Sequence, residues 1–171
     1  MAYLKKGSAN YLKEFDMWRL TGGFTGDADP LLTATVERCG SGGVSFEKIG
    51  TGMPTPSSGK WAFPSTGIWR VEANFAHYST SEDRLIRMII LFTSNDGSAW
   101  SNVSFGDGHI DGGASGNVHT YTTAYAVVDI TDTSQDKVGF KLTKNTGGSV
   151  TTDGGGTENL SYMSFTRLGD T

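Results

Sequence analysis

Gly67-Ile68-Trp69-Arg70-Val71-Glu72-Ala73-Asn74-Phe75-Ala76-His77 is the stretch from which the fold follows. Trp69, Val71, Ala73 and Phe75 take every second position, with Arg70, Glu72 and Asn74 between them. Successive side chains of a strand point to opposite faces, so this period puts one row in a core and the other outside. The next run, Arg84 to Thr93, has apolar residues in both rows: Ile86, Met88, Ile90 and Phe92 in one, Leu85, Ile89 and Leu91 in the other. It is short and ends in Thr93-Ser94-Asn95-Asp96-Gly97, which favours a strand covered on both faces over a helix. Asn95-Asp96-Gly97 is a turn signal, and Ala99 to Phe105 then returns as the second arm of a hairpin.

Outward from this centre the texture repeats. His119 to Ile130 sets Tyr121, Thr123, Tyr125 and Val127 against Ala124, Ala126 and Val128. Asp136 to Lys144 sets Val138, Phe140 and Leu142 inward, with Lys137, Lys141 and Thr143 outward. Leu160 to Leu168 opposes Tyr162, Ser164 and Thr166 to Met163 and Phe165, and Phe15 to Thr21 opens the domain. Short strands are expected over 33–38 and 44–49. Loops are expected at 22–30, around Pro54 and Pro56, at 106–116 and at 147–156, where Gly and Pro interrupt any regular element. About eight or nine strands with turns between them suit an all-β antiparallel sandwich of jelly-roll type. The polar stretch 1–14 lacks a core of its own and reads as an N-terminal arm before a domain spanning 15–171.

Composition narrows the function. The 171 residues are 36% hydrophobic and 19% charged, with 24 Gly and a net charge of -4. An acidic chain without a basic face argues against nucleic acid. No run approaches the roughly 20 apolar residues of a membrane span. The start, Met1 to Asn10, has no signal-peptide core, and the single Cys39 excludes an internal disulfide framework, both of which suit synthesis in a reducing cytoplasm. Cys39 itself reads as a small half-buried filler.

Asp107, His109 and Asp111 alternate in a glycine-rich stretch and resemble a cation loop, but hard cations want more oxygen ligands, so a loop-tip turn is the commoner meaning. No Gly-x-Ser-x-Gly or Ser-x-x-Lys motif is present. Glu72, Glu82, Asp83 and Asp129 read as solvated surface charges, not a glycosidase pair. The glycine strings do not lead through Gly-Lys-Ser/Thr into a helix, so none is a phosphate loop. The expectation is a non-enzyme with no metal and no cofactor. Trp69, Phe75, Phe92, Phe140 and Phe165 read as core, and Trp100 as core more than as an exposed sugar platform.

Two motifs carry a family likeness. Phe63-Pro64-Ser65-Thr66-Gly67-Ile68-Trp69-Arg70-Val71 resembles the strand entry of tumour necrosis factor-like jelly rolls and complement globular heads, where Gly permits the turn and the aromatic enters the core. Ser161 to Gly169 resembles their last strand. The whole chain resembles small virion proteins of marine tailed phages, through Met1-Ala2-Tyr3-Leu4, Asp16 to Thr21, Phe24-Thr25-Gly26-Asp27 and Phe165 to Thr171. That resemblance implies a homotrimer of jelly rolls on a phage particle, although no collagen-like or coiled-coil stalk precedes the domain. It implies a trimer axis lined by Tyr121, Tyr125 and Tyr162, and an attachment arm acting through Tyr3, Leu4, Lys5, Lys6, Tyr11 and Leu12. The function expected is a capsid decoration (cement) protein bound to the major capsid protein, made in the host cytoplasm and located in the virion. The alternative is a receptor-binding or structural module of a tail or head fibre, contacting fibre or tail proteins. Its mobile loops 94–100, 106–117 and 146–157 would then meet a host glycan.

Overall fold

The computed structural model describes residues 12–30, 35–40, 48–112, 115–145 and 149–171. Every regular element longer than a turn among them is a strand. The decisive stretch forms β6 (Gly67–Ser79), the spine of the first sheet. One edge of β6 pairs antiparallel along its whole length with β9 (Val118–Ile130), from Gly67 opposite Ile130 to Ser79 opposite Val118. The other edge pairs with β12 (Tyr162–Gly169) and, further along, with the two-residue β11 (Thr151–Thr152). Beyond β12 lies β1 (Phe15–Leu20), flanked by β3 (Val36–Arg38) and β4 (Lys48–Ile49). Beyond β11 lies β2 (Phe24–Thr25). The second sheet runs β5 (Trp61–Ala62), β10 (Lys137–Lys144), β7 (Asp83–Thr93) and β8 (Ser101–Ile110). The two antiparallel sheets pack face to face.

The inward rows are those the alternation predicts. Trp69, Val71, Ala73 and Phe75 of β6 meet Met88 and Ile90 of β7 and Val138, Phe140 and Leu142 of β10 in one cluster. Ile89 and Leu91 on the opposite face of β7 are also covered, at 5% and 4% exposure. Trp61 sits at the centre. It stacks on Phe165 at 5.1 Å between ring centroids and meets Trp18 and Phe140 edge-on at 5.4 and 5.8 Å. Offset and edge-to-face rings add about 0.5–1.5 kcal/mol per pair beyond the area they bury.

Four expectations are corrected. The glycine-rich stretch from Gly106 is not all loop, because β8 continues to Ile110. A Cβ on Gly106 would stand 2.1 Å from the Thr123 carbonyl oxygen, and one on Gly108 3.2 Å from that of Tyr121. Here glycine lets β8 lie against the backbone of β9, and tertiary contact overrides its weak strand propensity. Asp83 is not a surface charge: it is fully buried and accepts hydrogen bonds from the backbone amides of Leu85 and Asn145. Lys137 is not solvated either. Its Nζ donates to the carbonyls of Thr133 and Ser134 at 2.9 and 2.7 Å. Cys39 is wholly buried, not half-buried, and burial pushes its thiol up to about 11.

Candidate functional site

The outward row of β9 holds the largest exposed apolar group on this face. Tyr121, Tyr125 and Val127 are 57%, 64% and 58% exposed, on a strand that pairs with β6 from end to end. Such rows belong to binding surfaces more often than to bare solvent. Their inward neighbours Ala124, Ala126 and Val128 are buried, which fixes the phase and forces the tyrosines outward.

Register places the predicted residues relative to one another. Tyr125 stands opposite Glu72 of β6, and Tyr121 opposite Ala76. Tyr162 of β12 stands opposite Asn74, whose other neighbour is Thr123. All three tyrosines therefore share one face, with Tyr162 two strands away from the β9 row, about 9–10 Å. Tyr162 is half-buried, and burial followed by the nearby Glu72 carboxylate raises its hydroxyl above the ordinary tyrosine value. Arg70 lies over the Tyr125 ring at 5.4 Å and pairs with Glu72 at 2.8 Å. The face thus combines flat apolar rings, a fixed charge pair and the Thr123–Asn74 hydrogen bond of 2.7 Å.

Val127, set in the tyrosine row by the same alternation but not counted in the expected trimer axis, extends that row. Phe105 and Val103 of β8 are 52% and 42% exposed, with Phe105 opposite Ile89 on the outer face of the second sheet. The Arg87 guanidinium lies 5.3 Å over the Phe105 ring and pairs with Asp107 at 2.7 Å. That pairing takes Asp107 out of the suspected cation loop, and the Arg87 cation draws its carboxyl below the ordinary range. His109 and Asp111 remain 3.8 Å apart at the surface. Among the described residues no group of His, Cys, Asp and Glu is arranged to hold a metal.

The attachment arm is described only from Leu12, which is 43% exposed. Tyr3, Leu4, Lys5, Lys6 and Tyr11 lie outside the described residues. The arm's last residue is tied to the body: the Glu14 carboxylate accepts from the amides of Thr51 and Gly52 at 2.9 and 3.2 Å, and its carbonyl from Arg167. The chain therefore enters the sandwich beside the end of β12. Asp16 secures that entry from inside, at 1% exposure, accepting from Arg38, the Trp18 indole and the Met53 amide.

The loops assigned to a receptor do not form one surface. Residues 94–100 sit at the end of the sandwich where β6 begins, whereas 111–112, 115–117 and 151–152 sit at the other end. The 94–100 loop is also pinned, with Asn95 accepting from the Ala99 amide and Lys60 holding Asp96. Trp100 is half-buried over Gly139 on the outer side of the second sheet, so it is neither core nor a free platform. Residues 146–148 lie outside the described residues.

No family model matches the sequence, and no curated protein does. Solved structures share the fold. The structure of Eiger TNF from S. frugiperda aligns at a TM-score of 0.63 and 10% identity, covering 93% of this chain and 96% of that one. Murine APRIL at pH 5.0 aligns at 0.61 and 8% identity, covering 91% and 98%. At such identity the likeness establishes the architecture, a tumour necrosis factor-like jelly roll.

Proposed function

We propose that this chain is a non-enzymatic assembly protein: a homotrimer that serves as a structural protein of a phage virion, decorating the capsid and reinforcing the shell. The observation that carries it is the exposed row Tyr121, Tyr125 and Val127 on a long strand paired end to end with β6. A surface of this kind is stable in solution when covered, and a second copy of the same chain is the partner always present. A specific interface needs about 800 Å² from each partner. The β9 row and Tyr162 share the outer face of the first sheet and give that surface to draw on. The virion assignment rests on the end-to-end sequence resemblance, and the shell contact on the arm that enters beside β12. The fibre reading is weaker, because its proposed receptor loops lie at opposite ends of the sandwich.

Two measurements test this in sequence. Light scattering on the purified chain should give three times the mass of one chain, and Tyr125→Lys should give a folded monomer with an unchanged circular dichroism spectrum. A wild-type monomer ends the assembly reading. Gold-labelled antibody should then decorate phage heads evenly; label confined to a tail tip moves the assignment to the fibre, and no label ends the virion reading.

A further inference from the structure

The interior at the Ser79 end of the sandwich is unlike the rest. His77 points inward from β6 with no exposure at all. Its Nδ1 lies 3.1 Å from the Thr152 hydroxyl and its Nε2 2.9 Å from the Thr122 hydroxyl. Lys144, at 6% exposure, donates from Nζ to the Val150 carbonyl at 2.9 Å. Around them Ile86, Ile110 and Val150 form a small core separate from the main one. All of this lies beneath β11, which pairs through two residues with β6 and two with β2. Polar ties of that segment include Ser79 donating to the Ser149 carbonyl at 3.1 Å and the Asp153 amide to the Ala76 carbonyl at 2.8 Å, and Val150 adds a buried apolar one.

We propose that residues 149–153 form an acid-released flap, which leaves β6 when His77 takes up a proton while the ring-filled end of the sandwich stays closed.

The groups facing His77 decide the direction. From β9 it meets Thr122, and from β11 Thr152, both uncharged. From β10 it faces Lys144, a second cation. The carboxylates nearby serve that lysine: Asp83 of β7 and Asp27 after β2 favour its charge, while burial brings it down to about 8. Neutral imidazole donates from one nitrogen and accepts at the other, so it satisfies both hydroxyls. Imidazolium would be a cation buried beside a cation. Burial first and Lys144 second accordingly bring His77 down to about 3. The folded value lies below the free value of 6.5, so the closed flap is favoured in full above pH 6.5 and progressively less as pH falls toward 3. Opening takes up one proton and exposes the imidazole.

Hydrogen exchange on the full-length protein, corrected for intrinsic rates, reads this directly. Amides of 149–153 should be less protected than those of 69–75 at every pH. Their opening constant should rise about eightfold between pH 6 and pH 5, approaching the one-proton slope. In His77→Gln, which keeps a donor and an acceptor but does not titrate, that rise should vanish. Equal protection in the two segments, or an unchanged slope in the variant, overturns the proposal. Should the variant not fold, the His77 ring resonances of the wild-type protein decide: they should stay at their neutral positions from pH 7 to 5 while the flap is closed. Titration near 6.5 in the closed protein overturns it.

Discussion

At the Gly67 end of the sandwich the interior is a stack of rings; at the Ser79 end it is a group of polar side chains joined by hydrogen bonds. Both ends are built on the same two long strands, β6 and β9. The ring end, with Trp61, Trp69, Phe63 and Phe165, is held by area and dispersion, which have little direction and no dependence on protonation. The polar end, with His77, Thr122, Thr152 and Lys144, is held by geometry, and an unpaired group there is heavily penalised. One strand pair can therefore carry a permanent half and a conditional half.

Three perturbations separate the halves. Trp61→Ala should have the largest effect, lowering stability by about 3–5 kcal/mol in urea unfolding. The loss should be the same at pH 7 and pH 5, since no proton is involved at that end; a loss below about 1 kcal/mol would mean the rings are not the main support. Acidification should be smaller and specific to the other end. Unfolding stability should fall between pH 6.5 and 5 by up to about 1.4 kcal/mol per pH unit, and His77→Gln should remove that component. If the variant tracks the wild-type curve, carboxylates alone explain the acid response. The smallest effect belongs to Gly156, where a Cβ would meet nothing within 4 Å. Gly156→Ala should change stability by less than about 0.5 kcal/mol, because its carbonyl, which accepts from Arg19 at 2.5 Å, is kept. A larger loss would show that the segment before β12 is strained.

The ring end was mostly legible in sequence, and the polar end was not. Trp69, Phe75, Phe140 and Phe165 declare themselves through alternation that runs over several residues. Trp61 does not, because β5 is two residues long and no period can be seen in Lys60-Trp61-Ala62. Arg19, Asp83 and Lys144 look like surface charges because the groups that satisfy them are far away in the chain. Arg19, for instance, is buried against Glu37, at 2.6 Å, and Gly156. Burial of charge is a property of pairs, and a single row of letters does not show which pairs will meet. The candidate surface was legible where it lies on β9, since a buried alternate row forces the tyrosines out. The second half of β8 was hidden by Gly106 and Gly108, which read as loop until β9 is seen lying against them.

That close approach has a consequence for solubility. β9 pairs on one side only, with β6, so its far edge would otherwise offer unused backbone donors and acceptors to any extended chain. The glycines of β8 let a neighbouring backbone sit against that edge, closer than any side chain would allow. The strand that carries the exposed tyrosines is thereby screened from adding further strands at that edge.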